Sequence, residues 1–430
     1  MKMEPEIRDL SLYVHIPFCK SKCLYCDFLS FSGYGYDRQK QYVSALCKEI
    51  EAYSSIAGEY VLQTVFIGGG TPSYMDVSLI EQIIQTIDKV FVIDKRAEIT
   101  IEGNPDSLTR EKLEEYRRLG INRLSIGLQS TNDDMLKILG RVHNYDQFIA
   151  AYNSARQAGF NNINVDLMSG LPKENVESYI HTLAKVVKMQ PEHISAYSLI
   201  IEEGTPFSVD EELLKELPSE EVDRLLYART KTLLQNSGYS RYEISNYART
   251  GFECRHNIVY WTGGEYLGVG LGASSYLNVR FPDNRYQKVR FHGVENLAEY
   301  IGRFSQCGSM QEDEYTEMFR MFGKAEEDIY EEDIYGANIL SEFIRDYYKD
   351  LHILKRKENM EEFMFLGFRM LKGISKTEFK ERFGVAAESV YGKVIDKYID
   401  MGMIIEQEDR IYLSDAGIDV SNVIMAEFML

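Results

Sequence analysis

Short apolar, β-branched runs alternate with amphipathic stretches through the first 245 residues. Unbroken or period-two apolar runs predict strands, and apolar positions three and four apart predict helices. Strands are expected near Ser11–Ile16, Thr64–Ile67, Glu98–Glu102, Arg123–Gly127, Asn162–Leu167 and His193–Ser198. Between them, helices are expected near Asp37–Tyr53, Ser78–Val90, Arg110–Leu119, Asp146–Ala158 and Val176–Lys188. Gly120 and Gly159 follow helical runs, where a residue without a Cβ closes a helix. Six strands with intervening helices imply an α/β fold with a parallel sheet and right-handed crossovers. The pattern leaves a barrel and a doubly wound sheet both open.

A further helix is expected over Ser219–Gln235, followed by a Tyr- and Gly-rich segment to about Arg290. Residues 326–335 read EEDIYEEDIY, six acids in ten positions. Such a run is a solvated helix face or linker surface before it is an interaction tail. In the last stretch, Ser375 and Glu378 form a capping box that opens a helix, and Gly384 closes it. A second helix to about Met401 and a hairpin over Met403–Glu406 and Arg410–Leu413 complete a winged-helix-like pattern. Three domains are therefore expected: a core over 1–245, an extension with the acidic linker over 246–358, and a small module over 359–430.

Charge and composition narrow the function classes. Lys plus Arg number 48 and Asp plus Glu 67, a net charge of −19. Binding along a phosphate backbone needs clustered cations, so nucleic acid is not an expected partner. No apolar run approaches the ~18 residues of a membrane span, and the opening MKMEPEIRDL has no apolar signal core. Of six cysteines, Cys19, Cys23 and Cys26 cluster, while Cys47, Cys254 and Cys307 are scattered. That is not the spread of a secreted disulfide framework, so a reducing, cytoplasmic location is expected.

Tyr13-Val-His-Ile-Pro-Phe-Cys19-Lys-Ser-Lys-Cys23-Leu-Tyr-Cys26-Asp-Phe28 carries the strongest signal. Three cysteines spaced three and then two apart follow a buried strand. A structural zinc site wants four closed ligands, and the nearest fourth candidate, His15, is fixed by the strand. Three thiolates suit a four-iron cluster with one iron left open to a substrate. Other polar groups fall at strand ends: Phe66-Ile-Gly-Gly-Gly-Thr-Pro72, Ile101-Glu102-Gly-Asn-Pro105, Ser125-Ile-Gly-Leu-Gln129, Leu139-Gly-Arg141-Val-His143 and Asn164-Val-Asp166. Singly, each of these residues reads as a cap or turn residue. No Gly-Lys-Ser/Thr follows the glycine triplet, so it is no phosphate loop.

The cysteine spacing, its preceding strand and Tyr25 beside the last cysteine resemble the radical S-adenosylmethionine superfamily. That resemblance implies a full or partial (β/α) barrel. It also implies a 4Fe-4S cluster on Cys19, Cys23 and Cys26 that binds S-adenosylmethionine and cleaves it reductively to methionine and a 5′-deoxyadenosyl radical. The later motifs resemble the coproporphyrinogen-dehydrogenase branch. By that resemblance Glu102 pairs with the methionine ammonium, Arg141 with its carboxylate, and Gln129 and Asp166 with the ribose hydroxyls. Tyr13, Gly69, Gly70, Thr71 and Ile200 carry over as further cofactor-binding positions.

Longer segments resemble HemW-type heme chaperones: His193–Pro206, Tyr242–Tyr247, Cys254–Trp261, Gly268–Tyr276 and Leu413–Leu430. The resemblance implies heme as a ligand, with His256 as candidate axial ligand and Tyr260 and Trp261 beside it. It also implies a flavodoxin- or ferredoxin-like electron donor and a respiratory hemoprotein as recipient, reached by transient docking at the membrane. The alternative is an oxygen-independent coproporphyrinogen III dehydrogenase. That enzyme carries a fourth cysteine two places after the last ligand, where this chain has Phe28, and a longer amino-terminal arm.

Overall fold

The computed structural model describes residues 7–280, 286–306 and 348–429. The acidic repeat at 326–335 and Cys307 lie outside the described residues. Six strands and five helices alternate as the hydrophobic pattern predicts. The strands are β1 (Arg8–Ile16), β2 (Tyr60–Gly69), β3 (Val92–Gly103), β4 (Arg123–Gln129), β5 (Ile163–Ser169) and β6 (His193–Ser198). The helices are α1 (Tyr36–Ala52), α2 (Val77–Val90), α3 (Arg110–Arg118), α4 (Tyr145–Gln157) and α5 (Val176–Met189). Helices α2, α3 and α5 begin on side-chain caps: Asp76 accepts from Ser78 N–H at 2.9 Å, Thr109 from Lys112 N–H at 3.4 Å, and Asn175 and Ser178 form a reciprocal capping box. Gly120 and Gly159 take φ of +85° and +90°, the left-handed closure expected of them.

The chain divides into two compact units, each assembled from three separated segments. One unit comprises residues 1–125, 147–160 and 265–353. Its sheet centres on β1, which pairs in parallel with β2, and β2 in turn with β3. On the other side β1 pairs in parallel with β8 (Tyr266–Val269), Ser11 lying opposite Tyr266. Antiparallel strands β9 (Ser274–Arg280), β10 (Tyr286–Gly293) and β11 (Tyr348–Ile353) extend that edge. Leu10, Leu12, Val14 and Ile16 are buried on one face of β1 and Ser11 and His15 on the other, so the strand is covered on both sides.

One polar group is sealed into this core. Glu49 of α1 accepts from Gly270 N–H at 2.8 Å and from the Tyr300 hydroxyl at 2.5 Å. Tyr300 belongs to α8 (Leu297–Gln306). Burial pushes the Glu49 carboxyl up to about 7, against the two hydrogen bonds that favour its ionised form.

The other unit comprises residues 126–146, 161–264 and 354–430. In it β5 and β6 are parallel, and β7 (Asn246–Ala248) runs antiparallel to β6. Helices α6 (Glu220–Asn236) and α7 (Arg255–Trp261) precede the carboxyl-terminal module. That module holds α9 (Arg356–Gly367), α10 (Lys376–Phe383), α11 (Ala387–Asp400) and a hairpin of β12 (Ile404–Gln407) and β13 (Arg410–Leu413). Ser375 caps α10 by accepting from Glu378 N–H at 3.0 Å, and Gly384 closes it at φ +69°. The short strand Ile374–Ser375 joins the hairpin, giving the three-stranded wing. Phe379, Tyr391, Ile395, Ile411 and Phe428 form its core, against which Tyr227 and Ile244 pack.

Candidate functional site

The cysteine loop leaves β1 at Pro17 and is tied to the glycine loop that leaves β2. Gly70 N–H donates to Ile16 O and Thr71 N–H to Phe18 O, both at 2.8 Å. The Thr71 hydroxyl donates to Cys19 Sγ at 3.4 Å and itself accepts from the Asn104 amide at 3.3 Å. A sulfur that accepts a hydrogen bond is favoured as thiolate, the form that binds iron. Glycine is required at 70: a Cβ there would stand 2.9 Å from the Ile16 and Phe18 carbonyl oxygens and 3.0 Å from Cys19 Sγ.

Cys19 is buried, and Cys23 and Cys26 are half-buried, joined by a turn from Cys26 N–H to Cys23 O at 3.3 Å. Burial pushes the Cys26 thiol up, and the neighbouring Cys23 and Cys19 push the same way. Three thiols that feel one another's charge in a partly desolvated loop are a donor set that a cationic iron cluster would neutralise. Among the described residues, no three His, Cys, Asp or Glu side chains converge tightly enough for a single metal ion. Three thiols on one loop, with Cys19 Sγ already accepting a hydrogen bond from Thr71, are a soft donor set whose chemistry suits an iron–sulfur cluster.

His15 is not poised as a fourth ligand. Its Nδ1 is 3.0 Å from the Tyr13 hydroxyl and its Nε2 2.8 Å from Leu29 O. Burial lowers it to about 4, so the ring is neutral near pH 7, and Nε2 must carry the proton to donate to the carbonyl. The hydroxyl of Tyr13, held above its ordinary value by burial and Glu102, then donates to Nδ1. Glu102, at the end of β3, accepts from Gly69 N–H at 3.0 Å. The glycine loop thus already binds a carboxylate through its main chain, and that carboxylate is the chain's own. Tyr25 is half-buried in the cysteine loop.

In the other unit the predicted polar residues are held by specific partners, whereas Ile200 is exposed. Arg141 donates to Gly127 O at 2.6 Å. Gln129 ends β4 at φ +69°, left-handed backbone that a residue with a Cβ rarely adopts, and its Oε1 accepts from the Tyr197 hydroxyl at 2.9 Å. Strain of that kind concentrates where a side chain must be aimed. Asp166 accepts from the Asn164 amide at 2.7 Å. Ile200 is 67% exposed, unusual for a large apolar side chain. His256, on α7, is buried, its Nε2 2.9 Å from the Tyr260 hydroxyl one turn on. The Trp261 ring lies under the Arg369 guanidinium, 4.2 Å away.

Sequence reading missed three groups here. Asn164 and His193 are buried polar residues that open strands shared with other polar groups, and the motifs that contain them gave them no role. His143 is buried beside Leu128 O, and burial and Arg141 lower it to about 3. The Thr71 bond to Cys19 joins residues 52 apart and left no local trace.

Residues 13–186 match the Radical SAM superfamily and residues 354–420 the HemN C-terminal domain. The heme chaperone HemW of Bacillus subtilis (strain 168) is 31% identical over 423 residues, covering 97% of this chain and 99% of that protein. HemW of Haemophilus influenzae is 31% identical over 417 residues, 96% of each chain. Among solved structures, coproporphyrinogen III oxidase (HemN) from Escherichia coli superposes with a TM-score of 0.77 at 22% identity, covering 100% of this chain and 91% of that one. The fold is accordingly the partial (β/α) barrel of the radical SAM proteins with a winged-helix-like carboxyl-terminal module. Cysteine loop, architecture and full-length similarity agree: the chain belongs to the radical SAM superfamily and, within it, to the family of the heme chaperone HemW.

Proposed function

We propose that this protein is a heme carrier that holds a 4Fe-4S cluster on Cys19, Cys23 and Cys26 and binds S-adenosylmethionine beside it. The observation that carries the reading is similarity to HemW proteins along the entire chain, cysteine loop and carboxyl-terminal module included. When bound, the cluster and S-adenosylmethionine supply one-electron chemistry, and a flavodoxin- or ferredoxin-like protein is the electron donor. Thr71 steadies the Cys19 thiolate, and the Gly69 amide orients Glu102 toward the methionine ammonium. Arg141 takes the methionine carboxylate, and Gln129 and Asp166 take the ribose hydroxyls. Tyr13, Tyr25, Gly70 and Ile200 complete the cofactor-binding set.

Heme is assigned to the His256–Trp261 segment. The Tyr260 hydroxyl lies 2.9 Å from His256 Nε2, so an iron bound at that nitrogen would displace this bond, and Tyr260 and Trp261 would offer aromatic faces to the porphyrin. The recipient is a respiratory hemoprotein, met by a cytoplasmic carrier that docks transiently at the membrane. Among the described residues no helix is long and apolar enough to cross one.

Two parallel anaerobic incubations of reconstituted protein test the reading, one with heme and one with coproporphyrinogen III, S-adenosylmethionine and reductant. Stoichiometric heme binding, weakened in His256→Ala, is expected, with no decarboxylation. Catalytic formation of protoporphyrinogen would overturn it, and unchanged heme affinity in His256→Ala would remove that residue from it.

A further inference from the structure

Four hydrogen bonds run in one direction through the unit that contains α7. Cys254, the residue that starts α7, donates its N–H to the Tyr242 hydroxyl at 3.2 Å. Tyr242 lies 2.8 Å from His193 Nε2, and His193 Nδ1 lies 2.6 Å from Asn164 Oδ1. The Asn164 amide nitrogen donates to Asp166 Oδ1 at 2.7 Å.

Their polarity follows from the ends. A carboxylate only accepts, so Asn164 must turn its nitrogen to Asp166 and its oxygen to His193. The Ser195 hydroxyl, free to donate or accept, donates to that same oxygen at 3.2 Å once the amide is so turned. His193 must then carry its proton on Nδ1. In the neutral ring that leaves Nε2 to accept from Tyr242, whose oxygen takes the Cys254 N–H. Asn164, His193 and Cys254 are 2%, 0% and 0% exposed, so water is kept from these three groups, while Tyr242 and Asp166 are half-buried. The strands supply the spacing: Asn164 of β5 lies directly opposite His193 of β6, and Asp166 opposite Ser195.

We propose that His193 is a positioning residue that aims Asp166 through Asn164 and ties it through Tyr242 to Cys254, the cap residue of α7, so that a nucleoside bound at Asp166 tightens the segment carrying His256. The inference rests on the proposed role of Asp166 toward the ribose. It assigns no chemistry to His193 itself. A ribose diol donating to Asp166 restrains the carboxylate, and the restraint passes along a continuous series of hydrogen bonds whose middle members, Asn164 and His193, are fully buried.

The test uses the full-length, cluster-reconstituted protein with S-adenosylmethionine as the probe, reading ligand affinity and amide hydrogen exchange over residues 254–261. In the parent protein the ligand should slow exchange there. His193→Ala should weaken binding ~5-fold or more and abolish the exchange response. His193→Asn, whose amide nitrogen stands where Nδ1 stood, should restore affinity to within about 2-fold but not the response. Tyr242→Phe should do the same, because it removes only the link to Cys254. If Tyr242→Phe keeps the full response, or His193→Asn binds as poorly as His193→Ala, the positioning role is wrong. If the parent protein itself does not bind S-adenosylmethionine, or Asp166→Ala binds it as tightly as the parent, the reading of Asp166 fails first and takes the inference with it. Thermal unfolding of each variant identifies a loss of fold, and rescue by His193→Asn is a result that mere structural damage would not give.

Discussion

A carboxyl group at residue 49 has no water to ionise into. Folded, it keeps its proton to about pH 7, against 4.5 for an ordinary glutamate. As pH rises past 4.5 the unfolded chain releases this proton while the folded chain retains it. Stability therefore falls between about 4.5 and 7 and stays lowered above, by up to about 3 kcal/mol. Glu49→Gln keeps an acceptor oxygen for Gly270 N–H and Tyr300 but has no charge to suppress. The variant should be no more stable than the parent at pH 4.5 and progressively more stable up to pH 7, read by thermal unfolding across that range. A difference in melting temperature that does not change with pH would show that Glu49 is ionised in the folded protein. Nothing in the local sequence marks this residue: Lys48-Glu49-Ile50-Glu51 reads as an ordinary helix surface, and only the far-off Gly270 and Tyr300 bury it.

At the scale of elements, the glycine loop and the cysteine loop are built as one piece. Gly70→Ala would press a methyl group onto two carbonyl oxygens and the Cys19 sulfur in a region stitched by backbone hydrogen bonds. The protein should remain folded by circular dichroism yet hold less than roughly half the iron of the parent after reconstitution. Full iron with an unaltered absorption spectrum would show that the loops move independently. Elements as a class were the legible part of this sequence. All six early strands and five helices lie where the apolar periodicity puts them, because each buries a continuous face. The strand starts were less legible. β2 and β3 begin at Tyr60 and Val92, four and six residues before the expected Thr64 and Glu98. Polar residues such as Gln63 and Asp94-Lys95-Arg96 mask the extensions, where backbone pairing of Val61 with Val92 continues past the apolar core. Strands β8–β10 read only as a Tyr- and Gly-rich segment, since Gly268, Gly270 and Gly272 break the pattern that tertiary pairing then overrides. Of the site, the motif residues stood out as polar groups at strand ends, whereas their partners, Thr71 for Cys19 and Tyr197 for Gln129, come from distant segments.

For the molecule as a whole, Arg369 connects the carboxyl-terminal module to the segment before it. Its guanidinium lies over Trp261 and 3.7 Å from Glu243, which is 1% exposed and whose carboxyl burial already pushes up. Leu371 N–H donates to Tyr242 O at 3.1 Å alongside. Arg369→Ala should lower stability by about 2 kcal/mol in denaturant unfolding, less than that when Glu243→Gln is already present. Strict additivity of the two changes would mean that the pair contributes nothing. The long reach of the contacts in the other unit sets a timetable for synthesis. Arg8 pairs with Glu265, 257 residues later, and β1 cannot gain its β8 neighbour until that stretch has been made. At ~5–20 residues per second, the ribosome delivers β8 roughly 13–50 s after β1. Through that interval the sheet beside the cysteine loop lacks one of its strands, and we expect iron loading to follow translation. Ribosome-arrested chains ending before residue 265 should accordingly leave Cys19, Cys23 and Cys26 open to alkylation, while full-length chains loaded with iron should protect all three.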